Sequence, residues 1–174
     1  KTKNFLRIDM ESSKYTDLTI KSFTQQRKKT KNIGTVFQAY LYRTYHDITI
    51  LDKKDLNFRL CKGIYIESED VAINKRENIN NNYLKILKYA FENNIYVGIA
   101  THDTSLLDSI YQLIDQLKPS IDNFEFQVLY GVPMKEWNEE HLRRGYKVRV
   151  YVPFGEDWYK YSVRRLKENP DIAG

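Results

Sequence analysis

A single cysteine, Cys61, in 174 residues excludes an internal disulfide and fits a reducing compartment. Histidine is almost as scarce. His46, His102 and His141 fall on different predicted elements, too few and too scattered for a metal site that needs several ligands at regular spacing. Gly-x-Ser-x-Gly does not occur, so a nucleophilic serine elbow finds no candidate. No apolar run approaches the roughly 20 residues of a membrane span. Charge of one sign is not gathered in blocks either. The net charge of +5 comes from scattered lysines, and only Gln26-Arg-Lys-Lys-Thr-Lys31 reads as a basic run. A solvated helix end accounts for that run better than a nucleic-acid surface. No signal peptide precedes Lys1, an initiator Met is missing, and the chain opens nearly on a strand, as expected of a piece cut from something longer.

Against these shortages stands an excess of aromatics, with 14 Tyr, 8 Phe and 2 Trp. Many of the tyrosines fall at predicted strand ends, where an apolar ring with a polar tip suits a pocket wall. The apolar share (41%) and charged share (29%) are ordinary, and the length makes one domain with a real core.

Strand and helix patterns alternate along the chain. Asn4 to Met10 reads as a strand, followed by polar Glu11-Ser-Ser13 and a helix around Tyr15 to Arg27. Thr35 to Leu41 is the second strand, with a short helix near Asp47 to Asp55. Phe58 to Lys62 is the third and stops at Gly63. A long polar loop through Asn82 then precedes a helix whose stripe is Tyr83, Leu84, Leu87, Ala90 and Phe91. Ile95 to Ala100 is an apolar run of strand length. Asp103, Thr104 and Ser105 offer an N-cap for a helix with Leu106, Leu107, Ile110, Leu113, Ile114 and Leu117 inward, ended by Pro119. Phe124 to Tyr130 is the fifth strand, and Pro133 opens a helix to Arg144 with Gly145 as its stop. In the last unit Val148, Val150 and Val152 alternate with Lys147, Arg149 and Tyr151. Pro153 and Gly155 end that strand, and Glu156 and Asp157 open a helix that carries Tyr161, Arg165 and Glu168 on one face, with Arg164 at its edge.

Six strand–helix units mean parallel strands joined by crossovers, in a doubly wound sheet or a barrel. Two features favour the barrel. Asp9, Gln38, Arg59, Glu125, Gln127 and Arg149 put polar groups inside strands, where an inward layer can hold them around a ligand. A glycine-rich phosphate loop does not follow the first strand. Barrel chemistry collects at C-terminal strand ends. Here those ends offer Asp9, Glu11, Gln38, Tyr40, Arg59, Lys62, Thr101, His102, Gln127, Tyr130 and Tyr151. Cys61 lies within a strand without a convincing base and reads as a small buried residue. Lys62 precedes Gly63 at a strand end, where it suits either a Schiff base or a phosphate contact. Arg164 and Arg165 could meet a carboxylate as a fork of donors, although taken alone a solvated helix with a surface pair of Arg164 and Glu168 accounts for them better.

Five motifs occur together and in order: Arg59-Leu-Cys-Lys-Gly-Ile-Tyr65, Ala100-Thr-His-Asp103, Phe124-Glu-Phe-Gln-Val-Leu-Tyr-Gly131, Arg149-Val-Tyr-Val-Pro-Phe-Gly155 and Arg164-Arg-Leu-Lys-Glu168. Over Leu6 to about Pro170 the chain thereby resembles proline dehydrogenase in its short monofunctional bacterial form. The resemblance implies a distorted α/β (βα)8 TIM-type barrel, with residues 1–174 as the C-terminal portion of a single domain. About six βα units are expected here, lacking the first two. It implies oxidation of L-proline to 1-pyrroline-5-carboxylate with FAD as cofactor. Arg59 would sit beside the flavin, Gln38, Lys62, Thr101, His102, Gln127 and Glu168 would contact it, and Arg164 and Arg165 would clamp the proline carboxylate. Tyr151 would cover the substrate, Leu60 and Leu129 would pack near its ring, and Asp9 would support the pocket.

A membrane quinone is implied as electron acceptor, for an enzyme in the cytoplasm or at the inner face of the membrane. Metal and nucleic acid are not expected. The open strand edges of a six-unit piece invite self-association, and the piece alone is expected to be inactive. Among departures, the early-strand lysine that the family sets beside its active-site aspartate is absent, which leaves Asp9 without its expected partner. Ile66 and Asp103 stand where the long bifunctional members carry an aromatic residue and Asn. The rival readings are a flavin-free barrel lyase acting through Lys62 and a non-catalytic binding module for acidic ligands.

Overall fold

The computed structural model describes residues 4–156, 158–159 and 163. Six strands, β1 (Leu6–Arg7), β2 (Ile33–Gln38), β3 (Asn57–Cys61), β4 (Tyr96–Ala100), β5 (Phe124–Leu129) and β6 (Val148–Tyr151), form one curled sheet. They lie side by side in sequence order and every pairing is parallel. Helices α1 (Thr16–Arg27), α2 (Thr44–Thr49), α3 (Arg76–Glu92), α4 (Thr104–Leu117) and α5 (Lys135–Arg143) make the crossovers, with a short 3-10 turn at Ser13–Tyr15.

Period two along each strand sorts its side chains between two faces. One face turns outward to the helices. Phe37 on β2, Phe58 and Leu60 on β3, Val97 and Ile99 on β4, and Phe124 and Phe126 on β5 are at most 1% exposed and form the core with the helices. Phe23 of α1, Ile86 and Leu87 of α3, and Leu106, Leu107 and Ile110 of α4 supply the other side. Each buried Leu, Ile or Phe stabilises by roughly 1.5–3 kcal/mol, which makes this layer the main source of stability. The opposite parity (Gln38; Arg59 and Cys61; Gly98 and Ala100; Glu125, Gln127 and Leu129; Arg149 and Tyr151) faces the concave side. The register brings Gly98 beside Glu125 and Gln127 beside Arg149.

Tyr83 ties the two layers together. It is fully buried on α3, and its hydroxyl donates to the Leu60 carbonyl at 2.9 Å and accepts from the Ala100 amide at 3.1 Å. The ends of β3 and β4 are thereby fixed to one side chain.

Two boundaries differ from the sequence pattern. Helix α3 begins at Arg76, seven residues before the apolar stripe that announces it, because its first two turns are polar and largely exposed. Asn-rich turns carry no periodic signal, so the apparent long loop contains helix. Strand β1 pairs only through Leu6 and Arg7. The residues on either side of it belong to no strand.

Candidate active site

The C-terminal strand ends open onto a cavity of about 1000 Å³. From the strands come Gln38, Arg59, Cys61, Ala100, Gln127, Leu129 and Tyr151, all of inward parity, from the loops Asp9, Glu11, Lys62, Tyr65, Thr101, His102 and Asp103, and from the start of α3 Arg76. Thus β1 to β6 each deliver polar groups to one place because parallel strands end together on one rim.

A chain of charge-assisted hydrogen bonds crosses the concave face. Arg149 forks onto Glu125, with Nε to Oε1 at 2.6 Å and Nη2 to Oε2 at 2.8 Å. Gln127 Nε2 donates to the same Oε1 at 2.6 Å, and Arg59 Nε donates to Gln127 Oε1 at 2.7 Å. Burial alone would raise the Glu125 pKa, but bonds from Arg149, Gln127 and Tyr96 outweigh it and hold the carboxyl below its ordinary range. Below this layer Arg7 donates to the Thr35 carbonyl at 2.9 Å and to Asn57 Oδ1 at 2.7 Å. Burial, and then the nearby Arg59 charge, lower the Arg7 pKa to about 10. Arg59 itself lies with its guanidinium carbon 5.4 Å from the Tyr151 ring centroid and Nη1 3.8 Å from Asp9 Oδ1. Asp9 therefore faces an arginine from β3, where the sequence comparison leaves it without its expected lysine.

At the other side of the mouth Lys62 Nζ meets Asp103 Oδ2 at 2.5 Å, and Arg76 reaches the same carboxylate at 3.0 Å. Asp103 also caps α4, accepting from the Leu106 amide at 3.3 Å. Burial pushes its pKa up, but hydrogen bonds from Arg76, Lys62 and Ser105 prevail and hold the carboxyl well below the ordinary range. His102 Nε2 accepts the Leu129 amide hydrogen at 3.0 Å, so this nitrogen carries no proton and Nδ1 does. Burial lowers the His102 pKa and favours that neutral ring. Thr101 is buried and its Oγ1 accepts from the Asp103 amide at 3.1 Å. Gln38 gives its Nε2 to the Glu11 carbonyl at 3.1 Å and the Met10 carbonyl at 3.4 Å. Its Oε1 is buried with no hydrogen-bond partner among the described residues. An acceptor left so on a cavity wall suits a ligand that donates.

The structure thus brings together Asp9, Gln38, Arg59, Lys62, Thr101, His102, Gln127, Leu129 and Tyr151 around one cavity. Leu60 is a correction. It is fully buried on the helix-facing side of β3, and its neighbour Cys61 lines the cavity instead. Adjacent strand residues face opposite ways, so Arg59 and Leu60 cannot both point inward. Tyr130 is also turned out, 71% exposed. Arg164, Arg165 and Glu168 lie outside the described residues. Sequence reasoning passed over Arg76, hidden in the polar turn of α3, and Tyr65, whose hydroxyl donates to Glu11 Oε2 across the mouth. The signal for Tyr65 was its place two residues beyond Gly63. Among the described residues no cluster of three or more His, Cys, Asp or Glu could hold a metal ion, and no helix is long and apolar enough to cross a membrane.

Known proteins share this sequence pattern and fold. The family model described as "Proline dehydrogenase" matches residues 1–174. Proline dehydrogenase 2 of Bacillus subtilis (strain 168) is 43% identical over 170 residues, covering 98% of this chain and 56% of that protein. Proline dehydrogenase of Deinococcus radiodurans is 34% identical, over 97% of this chain and 55% of its own length. The chain spans about half the length of the curated relatives it matches. Among solved structures, proline utilization A (PutA) from Bdellovibrio bacteriovorus inactivated by N-propargylglycine superposes with a TM-score of 0.82 at 30% identity, covering 95% of this chain and 20% of that one. With a match over its whole length and a sheet that superposes on such a protein, the chain belongs to the proline dehydrogenase family.

Proposed function

We propose that the protein to which this chain belongs oxidises L-proline to 1-pyrroline-5-carboxylate, the first step of proline catabolism, with FAD bound in the cavity. The observation that carries this reading is the convergence of Arg59, Lys62 and the unpartnered Gln38 Oε1 on one cavity in a member of this family. The residues fit such a cofactor. Its volume is at the upper end of the roughly 300–1000 Å³ of ligand sites, enough for a large ligand. Gln38 Oε1 calls for a donor such as an imide or a hydroxyl, and Arg59, Lys62 and Arg76 suit a diphosphate and a ring that gains negative charge. Gln38, Arg59, Lys62, Thr101, His102 and Gln127 would hold it, joined by Glu168.

Bound there, FAD supplies the acceptor for the hydride that leaves proline C5. With the N–H proton released to solvent, the C5–N bond becomes the double bond of the product. Arg59 holds a fixed positive charge where negative charge develops, at no cost of reorientation. Leu129 gives the apolar wall and Tyr151 the cover, while Asp9 faces the Arg59 guanidinium across the pocket. Arg164 and Arg165 would clamp the substrate carboxylate. Electrons would pass on to a membrane quinone, which sets the enzyme in the cytoplasm or at the inner face of the membrane; both points rest on the family resemblance. A lyase acting through Lys62 has less support, because that ammonium is committed to Asp103. The test is the full chain purified with added FAD. Yellow flavin absorbance and proline-dependent dye reduction are expected, and a colourless protein without dye reduction overturns the reading.

A further inference from the structure

Between Arg59 and Glu125 stands an amide whose orientation its neighbours dictate. A guanidinium offers only donors and an ionised carboxylate only acceptors. Gln127, 4% exposed, spans the two: its Oε1 takes the Arg59 Nε hydrogen at 2.7 Å and its Nε2 gives one to Glu125 Oε1 at 2.6 Å. The reversed amide would set N–H against N–H and oxygen against oxygen in a buried place, where unpaired polar groups are costly. Glu125 is 3% exposed and cannot swing away, because Arg149 grips both of its oxygens. Gly98 on the adjacent strand leaves the amide its room. A Cβ there would stand 2.4 Å from Gln127 Nε2.

We propose that Glu125 is a positioning residue of this site: it fixes the amide of Gln127, and through that amide aims the Arg59 guanidinium into the cavity. Glu125 does not line the cavity, and its hydrogen-bonded path to Arg59 runs through Gln127. The inference deepens the proposed proline oxidation and rests on it.

The experiment uses the full chain loaded with FAD. Glu125→Gln lets position 125 donate as well as accept, so the Gln127 amide loses its reason to point one way. We expect kcat to fall about tenfold to a hundredfold, as for a misplaced catalytic group, with the KM for proline within about threefold of the parent. Exchanging the pair, Glu125→Gln with Gln127→Glu, restores an acceptor opposite Arg59 and a donor behind it, and should recover most of the lost kcat. A merely structural buried charge would not be rescued by that exchange. Should Glu125→Gln not fold, Gly98→Ala displaces the same amide without touching a charge and is expected to lower kcat alike. The Arg59 Nε hydrogen, followed by nitrogen-15 NMR, gives a readout independent of turnover: slow solvent exchange in the parent, fast in either variant. A folded variant with parental kcat and a protected Nε hydrogen overturns the proposal. If the parent reduces no dye with proline, the functional reading has failed, and the exchange measurement alone decides the role of Glu125.

Discussion

A hydroxyl and a guanidinium pair carry the sharpest expectations at the scale of single residues. Tyr83→Phe removes one oxygen from a closed core and leaves the Leu60 carbonyl and the Ala100 amide without their partner. The cost should be about 1–3 kcal/mol, read as a lower denaturation midpoint with an unchanged denaturant slope. If Arg164 and Arg165 clamp the substrate carboxylate, Arg165→Lys in the full chain should raise the KM for proline about tenfold to a hundredfold, since a point charge cannot reproduce the planar fork. A KM within about twofold of the parent would return the pair to a surface role, where such bridges contribute only about 0–1 kcal/mol. Arg59, Gln38 and Gln127 were legible because a polar residue inside an apolar strand has few places to go. Leu60 was not. Its hydrophobicity suits either a substrate ring or the helix layer, and only strand parity, counted from Arg59, separates the two. The bridging use of Tyr83 was illegible too, since in sequence it is one more member of an apolar stripe.

Elements differ in how plainly they announce themselves. Helix α4 was readable from end to end, because Asp103 caps it and its apolar residues recur at helical spacing. Helix α3 was readable only over its buried half, and β1 was overextended because an alternating pattern does not reveal where a ladder stops. Helix α5 hangs on a buried histidine. His141 is 1% exposed, stacks on Phe126 with ring centroids 3.7 Å apart, and shares a hydrogen bond of 2.6 Å with the Tyr111 hydroxyl. Burial lowers its pKa to about 4, against about 6.5 in the unfolded chain. Between those values the unfolded chain binds the extra proton, so His141 subtracts stability as pH falls through the window, and its full penalty is reached below about 4. Thermal melts from pH 7 to pH 4 should fall more steeply in the parent than in His141→Phe. Parallel curves would contradict this account of α5.

For the molecule as a whole, the described sheet has two open edges, β1 and β6, each paired on one side only. Val150 of the last strand and Val152 just beyond it are exposed, at 47% and 58%. Unpaired parallel edges beside apolar surface invite association, so the 174-residue chain by itself should form dimers or larger species, or melt without cooperativity. Light scattering after size exclusion, with a calorimetric scan, tests this; a monodisperse monomer with a sharp transition would contradict it. The strand order also has a temporal meaning. Each strand after β1 has a partner that precedes it in the chain, so a ribosome releases it after its docking edge already exists. From β2 onward no strand must wait for a later one, and the loop that each pairing closes spans a single crossover. Synthesis can therefore proceed as growth at one open edge, with each newly emerged helix sealing the outer face of the strand before it, and the concave face gains its polar residues in the order Asp9, Gln38, Arg59, Gln127, Tyr151.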